Sequence, residues 1–564
     1  MFEQKLNELF DNTKPIKVEY NTQYFNLPIE YIEHNQINDI IKEDIEFKGK
    51  NHIYNTILPN SILNDKWGSI YTVNKDFLKQ TQLHIKNYQP TIDISKKTIF
   101  DEYKKFKEEG NFMDKYQYMS INMFKHLNKY TVFLHLLGLF NLSSPALSLL
   151  SPIIALIIPF FIFKLKGLPI TMTMYCSLIK KMITDNNFFK LFNNFSELSS
   201  QQKVSSFISI FFYIFQIYSN IISCINFYNN LYYISDFLNN VKDHLKYSIE
   251  LSNKIQSSVE KYNTYSGFYN VTEKHKLVMK NLYEEINVLL PYNNTPAKLS
   301  QLGIYMKIFY NLYFDNDIHN TFMYSIFLNQ YDMDISSLHN LVKQKQINKC
   351  KYDTSTSINN MFYLPHLNNN PVKNSIDLKE NIIITGPNAS GKTTILKSLL
   401  INILMSQQFG YGCYGHAKIK LYDTFHSYLN IPDTSGRDSL FQAEARRCKD
   451  ILENITDNND DNHFCIFDEI YSGTNPNDAV LCANLYLKGL NHYKKCVDYA
   501  LTTHYIQLCE NFNKDKIIKN LKMNVDVKDD KITYLYNLIS GISYIHGGKH
   551  ILKEMNYPEY LFNL

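Results

Sequence analysis

Arginine, tryptophan and paired cysteines are almost missing from this 564-residue chain. It has one tryptophan, and its arginines are Arg437, Arg446 and Arg447, so nearly every basic side chain is a lysine. The nine cysteines form no C-x-x-C pair, which argues against a disulfide framework and against a zinc site. We therefore expect free thiols in a reducing, intracellular compartment.

The chain also lacks a strong net charge. Its formal charge of +4 is not that of a strongly basic nucleic-acid binder, although local basic patches remain compatible with it. The opening stretch, MFEQKLNELF, is polar and amphipathic, so we expect no secretory signal peptide. The length of the whole chain, 564 residues, suggests three or four structural units at roughly 150 residues each.

Charge is absent from one long hydrophobic run, Tyr130 to Phe163. A bilayer core needs about 20 apolar residues in a helix, and this run exceeds that length. Its internal prolines favour a re-entrant or hairpin arrangement that turns near Asn141 to Pro145. The prolines are Pro145, Pro152 and Pro159, and such a turn places Lys125 and Lys129 on the same side of the membrane as Lys164 and Lys166. We expect membrane association through 130–163; the alternatives are a buried hydrophobic hairpin and a dimer contact.

The rest of the chain divides into three further regions. Residues 1–120 are mixed and polar, and residues 171–350 show helical periodicity, although Val204 to Ser235 is a second charge-free run with several amides. The hydrophobic region is 121–170. An Asn-rich stretch, Asn359 to Asn374, leads into an α/β pattern, so the last domain is placed at 357–564.

A complete phosphate-binding pattern opens the α/β region. Residues 381–394 read NIIITGPNASGKTT, in which an apolar strand runs into Gly386-x-x-x-x-Gly391-Lys392-Thr393. Helical periodicity follows from Ile395 to Met405, so the strand–loop–helix context of a P-loop is present. The glycines let backbone N–H groups surround phosphate oxygens at a helix N-terminus. The alternative is a chance match in a glycine-containing turn.

This pattern predicts the ATP site and part of the Mg²⁺ site. Lys392 is expected to reach the β- and γ-phosphates, and the Thr393 hydroxyl to ligate Mg²⁺. The predicted ATP-binding residues are Gly386, Pro387, Asn388, Ala389, Ser390, Gly391, Lys392, Thr393 and Thr394.

Acidic and imidazole groups follow two later apolar runs. Phe464 to Phe467 ends in Asp468-Glu469, where Asp468 is expected to hold Mg²⁺ and Glu469 to deprotonate the attacking water. His504 follows another apolar segment and is expected to contact the γ-phosphate. A solvated strand end and a structural histidine are the alternatives.

A polar segment before Asp468 carries all three arginines. Residues 434–439 read TSGRDS, and a helix is predicted from Leu440 to Asn454. Gly436 and Ser439 are expected at its N-terminus, another anion site, and Arg437 offers a fork-shaped donor for phosphate or for a carboxylate at a subunit contact. The alternative is an ordinary capped surface helix.

Together these motifs resemble the ATPase domain of the MutS family. The runs TGPNASGKTT, SGRDSLFQAEARR, FDEIYSGTNPNDA and TTHY occur in the order of that family and at similar spacing. The matching positions are Gly386, Pro387, Asn388, Ser439, Glu444, Asp468, Glu469, Ile470, Gly473, Thr474, Thr503, His504 and Tyr505. The resemblance covers about 200 residues; the preceding helices resemble the core and lever helices of the family in character alone.

Two departures from the family bear on function. One extra residue separates Gly436 from Ser439, so Arg437 departs from the common spacing of the family's signature. The mismatch-recognition motif, Phe-x-Glu in a glycine-rich N-terminal setting, has no counterpart: Phe106-Lys107-Glu108 lies in a charged stretch and Phe195-Ser196-Glu197 lies too far along. The chain before the ATPase is also too short for a full mismatch sensor. The charge-free segment resembles those of a branch of MutS-like ATPases with short hydrophobic segments.

The resemblance implies an α/β ABC-type P-loop ATPase after a mainly α-helical core and lever region. It implies a homodimer in which one subunit's P-loop meets the other's Ser439 segment, with ATP and Mg²⁺ as cofactors. DNA, clamped by the helices before residue 350, is the expected partner, in mismatch repair or recombination-type maintenance. Two alternatives are a membrane-associated ABC-type mechanochemical ATPase that does not act on DNA, and a nucleotide-gated structural protein with negligible turnover.

Overall fold

The computed structural model describes residues 22–49, 51–90, 99–185, 199–289, 296–429, 439–513, 517–528 and 531–545, with residues 552, 555, 557 and 558. The helices in these ranges are α1 (Asp39–Asp44), α2 (Asn64–Trp67), α3 (Lys75–Asn87), α4 (Phe100–Lys107), α5 (Phe112–Lys115), α6 (Thr131–Leu165), α7 (Met172–Asp185), α8 (Ser200–Val259), α9 (Ser266–Asn287), α10 (Leu302–Phe314), α11 (Asn316–Lys343), α12 (Lys392–Gln408), α13 (Leu440–Asp457), α14 (Pro476–His492) and α15 (Ile506–Asn511). Short 3₁₀ helices include Asn122–Lys129 and Leu364–His366.

The strands are β1 (Asn35–Gln36), β2 (Ile70–Tyr71), β3 (Asn348–Tyr352), β4 (Ser357–Met361), β5 (Asn374–Asp377), β6 (Asn381–Thr385), β7 (Tyr411–Gly412), β8 (His416–Ile419), β9 (Thr424–Tyr428), β10 (His463–Asp468), β11 (Val497–Thr503), β12 (Ile518–Lys528) and β13 (Lys531–Ser540). Among the described residues the chain forms two compact units. One contains 97–249 and 277–322, and the other contains 20–96, 250–276 and 323–564.

A six-stranded sheet organises the second unit, in the order β13-β12-β6-β11-β10-β9. The five strands from β12 to β9 are parallel, and β13 closes the edge antiparallel to β12. Every residue of β6 and of β11 is buried, as parallel strands covered on both faces require. The strands and helices expected around the P-loop, the acidic pair and His504 are thus confirmed.

A second sheet lies in the same unit, with the order β5-β4-β8-β3-β7. It begins at Asn348, before the Asn-rich stretch that the sequence suggested as a boundary, and that stretch itself contributes to β4 and β5. Asparagine in this chain is therefore no guide to linkers.

The N-terminal segment of the second unit is attached to the end of α12. The Gln408 side-chain amide donates to the carbonyls of Trp67 and Ile70, both at 2.7 Å, and the Thr72 N–H donates to the Gln407 carbonyl. The residue range 20–96 contains no motif that predicts this contact. The contact is made by the buried residues Gln407 and Gln408 at the end of α12, the helix that follows the P-loop.

The first unit is helical, and α6 is its most unusual element. The predicted turn near Asn141 to Pro145 is wrong, because residues 131–165 form one continuous helix with Pro145, Pro152 and Pro159 inside it. Lys129 and Lys164 consequently lie at opposite ends of this helix, about 50 Å apart at 1.5 Å per residue, not on one side. A proline costs a helix one N–H donor, but here it does not end the helix.

Candidate nucleotide and metal site

The candidate site lies at the carboxyl ends of three neighbouring parallel strands. In the register of the sheet, Thr385 of β6 pairs with Thr503 of β11, and Thr502 pairs with Asp468 of β10. The P-loop, Glu469 and His504 each follow directly after one of these strands. Because the carboxyl ends of parallel strands meet at one edge, residues far apart in sequence are brought together there.

The P-loop contains two left-handed backbone conformations, which glycine adopts more easily than alanine. Ala389 and Gly391 both have left-handed φ angles, +63° and +92°. A Cβ at Gly386 would come within 2.9 Å of Ser390 Oγ and of Met523 Cβ, so a side chain there would displace the loop. Of the predicted ATP-binding residues, Gly386, Pro387 and Ser390 are buried. Asn388, Ala389 and Gly391 to Thr394 line an open cleft.

Lys392 stands at the centre of the charged groups. Its Nζ donates to the Gly386 and Pro387 carbonyls at 3.2 and 3.4 Å and lies 3.2 Å from His504 Nε2. Glu469 Oε1 is 3.7 Å from Lys392 Nζ and 2.7 Å from His504 Nε2. The structure therefore joins the three predicted catalytic side chains in one cluster.

The electrostatics of this cluster keep Glu469 ionised. The hydrogen bond with His504, opposed by partial burial and aided by the Lys392 charge, holds the pKa of Glu469 below its usual range. Burial lowers the pKa of Lys392, although the two acidic side chains nearby oppose that shift. Glu469 itself sits at a φ of +52°, and its N–H donates to the Thr502 carbonyl. Unusual backbone angles of this kind cluster at functional sites.

Hard oxygen ligands lie beside the cluster. Thr393 Oγ1 donates to Asp468 Oδ2 at 2.6 Å, and the Thr502 hydroxyl donates to the other oxygen of the same carboxylate. A hydroxyl at the first turn of α12 and a carboxylate at the end of β10 are the donor types that Mg²⁺ prefers. Ser390 Oγ, buried and with no protein partner in the described structure, supplies a further oxygen next to the loop.

Ser439 is the N-cap of α13 and remains exposed. Its Oγ accepts from the Gln442 N–H at 3.3 Å, and its own N–H donates to the Gln442 side chain at 3.0 Å, which completes a capping box. The predicted helix is confirmed, and the local contacts also satisfy the alternative of a capped surface helix. Gly436 and Arg437 lie outside the described residues.

Glu444 has a role that the sequence motif does not reveal. It is buried, and its carboxylate accepts from the Ser472 N–H and hydroxyl and from the Gly473 N–H at 2.8 to 3.1 Å. Gly473 in turn packs so closely on Leu440 and Phe441 that a Cβ would collide with them. Glu444 therefore fixes α13 to the loop that follows Asp468-Glu469.

The cleft beside the P-loop has a second wall that sequence reasoning missed. It measures about 800 Å³, and its far side comes from the segment between β4 and β5 and from β13. Apolar, aromatic and amide side chains there, with the P-loop opposite, suit a planar base next to a phosphate chain. The residues of this wall include Phe362, Tyr363, His366, Asn374 and Tyr536. The sequence of β4, β5 and the segment between them contains no nucleotide-binding motif, so this wall could not be predicted.

Comparison with known proteins finds its matches in the same part of the chain. Residues 382–563 match the family described as MutS domain V. The DNA mismatch repair protein MutS of Christiangramia forsetii is 31% identical over 182 residues, which is 32% of this chain and 20% of the relative. MutS of Bacteroides fragilis is 31% identical over 180 residues, again 32% and 20%, and MutS of Streptococcus thermophilus is 27% identical over 192 residues, 34% and 22%. The chain thus spans about a fifth of the length of these curated relatives.

Proposed function

We propose that this chain, whose C-terminal part is similar to MutS domain V, is an ATPase that couples ATP binding and hydrolysis to the clamping of DNA. The observation that supports this proposal most directly is the cluster of Lys392, Glu469 and His504 beside the Thr393–Asp468 pair. Lys392, Thr393 and Glu469 line one cleft, and His504 and Asp468 contact them from the ends of β11 and β10.

The chemistry assigned to the site is the transfer of a γ-phosphoryl group from ATP to water. Backbone N–H groups of Gly386 and of residues 388–391, with the positive end of α12, hold the phosphates, and Lys392 supplies a buried cation to the β- and γ-phosphates. Thr393 and Asp468 would hold Mg²⁺, which neutralises phosphate charge. Glu469, kept ionised, accepts the proton of the attacking water, and His504 orients that carboxylate and contacts the γ-phosphate.

A complete site requires a second copy of the chain in this proposal. Ser439 is exposed at the head of α13, and in this proposal its hydroxyl and the helix N-terminus are an anion site. In the homodimer each Ser439 faces the ATP held by the partner's P-loop. ATP binding closes both sites, and hydrolysis reopens them.

DNA is the proposed partner of the helices that precede β3. The named relatives are DNA mismatch repair proteins, and α9, α11 and the part of α8 after residue 225 are long helices that precede β3. α11 is followed directly in the chain by β3 of the second sheet. The proposed setting is mismatch repair or recombination-type DNA maintenance.

Two measurements on the purified full chain test this function. The first is Mg²⁺-dependent release of phosphate from ATP; its absence would leave the nucleotide-gated structural alternative. The second is binding of labelled duplex DNA with ADP or a slowly hydrolysed ATP analogue across a salt series. A clamp that neutralises several phosphates loses affinity steeply as salt rises, whereas no binding at low salt would refute a role on DNA.

A further inference from the structure

Two long helices of the first unit carry apolar side chains that the protein does not cover. α6 and α8 are both long and apolar enough to cross a membrane. In the most apolar 18-residue stretch only 17% of the residues of α6 are buried, and none of those of α8. The core helix of a soluble protein would show the opposite burial. Examples on α8 are Phe211, Phe212 and Phe215, which are 64%, 62% and 57% exposed.

The exposed parts of the two helices lie side by side and antiparallel. Cys224 Sγ donates to the Leu142 carbonyl, and the Tyr213 hydroxyl donates to the carbonyls of Ser148 and Leu149. As residue numbers rise on α6 they fall on α8. At 1.5 Å per residue, 139–163 of α6 and 204–225 of α8 are about 37 and 33 Å long, which matches a hydrocarbon core of about 30 Å.

The base of this pair is held by the helical unit. Leu134 is fully buried, and a side chain at Gly138 would collide with Leu302 of α10. Gly303 of α10 is equally close to the Thr131 carbonyl. The first two turns of α6 are therefore packed against protein, and the apolar parts project beyond that contact.

At Pro145 and Pro152, protein side chains rather than water can satisfy the backbone carbonyls of α6. Pro145 and Pro152 have no N–H, which frees the carbonyls of Asn141 and Ser148, four residues earlier. The serine before each proline replaces the missing donor: Ser144 Oγ bonds the Asn141 carbonyl at 3.0 Å, and Ser151 Oγ bonds the Ser148 carbonyl at 2.8 Å. In water such carbonyls would be hydrated, whereas in lipid each one needs a protein donor.

Charged and amphipathic aromatic side chains mark the two ends of the apolar length. At the base, Tyr130 and Tyr232 are 60% and 63% exposed, the position that tyrosine favours at a membrane interface. At the far end, lysines on α6, α7 and the start of α8 provide charged heads on long stems. They are Lys164, Lys166, Lys180, Lys181 and Lys203.

We propose that α6 and the first half of α8 form a two-helix hairpin that spans a lipid bilayer, with α7 on its far side. Gln216 is an exposed amide within this length, but large apolar residues surround it on α8. The occupant of the exposed surface is the acyl core of the bilayer. This inference does not depend on the nucleotide or DNA proposals.

The first test asks where the full chain goes and whether the apolar surface sends it there. We expect the chain to sediment with vesicles of phosphatidylcholine and phosphatidylglycerol and to resist alkaline carbonate. The double variant Phe211→Lys/Phe215→Lys should lose insertion, since a lysine at the bilayer centre costs about 100-fold in partition. The matched control is Leu481→Lys/Leu485→Lys, with the same spacing on α14 and 58% and 63% exposure, and it should sediment like wild type.

The second test measures labelling of the wild-type chain and uses a variant only to identify the labelled peptide. Cys176 is an exposed thiol on α7, at the far side of the proposed hairpin. In sealed vesicles a membrane-impermeant maleimide should leave Cys176 unlabelled until detergent is added, and Cys176→Ser identifies its peptide. Labelling in sealed vesicles, or a chain that stays soluble without detergent as a monomer or dimer, overturns the proposal. A dimer that loses its contact in the Phe211/Phe215 variant would show that a second copy covers this surface.

Discussion

At the scale of single residues, the site depends on the charged side chains of Lys392, Asp468 and Glu469 and on the partners that hold them in place. Glu469 hydrogen-bonds His504 and lies within an ion-pair distance of Lys392, while Asp468 is engaged by two hydroxyls. The two neighbouring carboxylates therefore meet different partners, and this separates their roles. In the proposed mechanism Asp468 would hold Mg²⁺ together with Thr393, and Glu469 would accept the proton of the attacking water.

Glu469→Gln should bind ATP but turn it over at least ~100-fold more slowly, since an amide cannot accept the proton of the attacking water. Steady-state phosphate release together with equilibrium binding of a fluorescent ATP analogue would measure both effects. Turnover at the wild-type rate would remove Glu469 as the base.

Lys392→Ala should abolish tight ATP binding, because the phosphates lose a buried cation whose Nζ is already aimed at the loop. A charge-assisted hydrogen bond contributes about 1.5–3 kcal/mol, so the Kd should rise at least ~10-fold. A suitable control is Lys397→Ala on the same helix, which lies outside the cleft lining. Equal ATP affinity in Lys392→Ala and wild type would refute the P-loop assignment.

Asp334 offers a pH prediction with a built-in reporter. It is fully buried and accepts from Gln330, Ser61 and the indole N–H of Trp67, the one tryptophan of the chain. Burial raises the pKa of Asp334 to about 7 against the hydrogen bonds that lower it. Its folded pKa is above its unfolded value of about 3.9, so its contribution to stability is full below pH ~4 and is lost as pH rises to about 7.

We therefore expect Trp67 fluorescence to change with a midpoint near pH 7, and the free energy of unfolding to fall across that window. In Asp334→Asn both pH effects should vanish, while the exposed Asp243→Asn should retain them. Identical pH profiles in wild type and Asp334→Asn would show that the indole does not sense this carboxyl.

At the scale of elements, α13 connects the segment expected to act on a partner's nucleotide with the loop that follows the acidic pair. The connection is Glu444, whose three accepted hydrogen bonds hold Ser472 and Gly473. The exposed N-cap therefore has a rigid support from a buried residue one turn and a half further along the same helix.

Glu444→Gln should weaken this connection, because the new NH₂ group faces donors and cannot accept from them. Losing charge-assisted bonds should cost about 1–3 kcal/mol of stability, with a lower ATPase rate. Glu453→Gln, on the same helix but exposed beside Lys449, is the matched control and should change neither. Thermal unfolding and phosphate release measure the pair; equal behaviour of the two variants would contradict the role given to Glu444.

At the scale of the whole molecule, the proposed function needs two copies of the chain. Ser439→Arg should leave ATP binding intact in each copy and block hydrolysis, because the bulky cation would occupy the partner's site. Mixed with Lys392→Ala, it should recover partial turnover, since one of the two shared sites in a heterodimer then has both intact halves.

Rescue is measured as phosphate release on mixing the two inactive variants, with heterodimers verified by two different affinity tags. Heterodimers that form without any recovered activity would sink the shared site. The same mixture of Lys392→Ala with Glu469→Gln is the control, because both changes there lie on the P-loop side of the site.

What the sequence determined by itself is local and tied to backbone chemistry. The strand before Gly386, the helix from Lys392, the strand ending at Asp468 and the helix after Ser439 all follow from apolar runs, glycine positions and a capping serine. Such features depend on neighbours within a few residues, so the motif order alone was enough to group Lys392, Asp468, Glu469 and His504 as one site.

The tertiary structure alone decided which distant segments meet and how α6 continues. The wall of the cleft, the attachment of Gln408 to residues 67–70 and the burial of Glu444 depend on contacts between segments tens to hundreds of residues apart, for which a single sequence has no periodic signal. The prolines predicted a turn in α6, yet the helix continues, and serine hydroxyls and Tyr213 of α8 supply the donors that Pro145 and Pro152 remove.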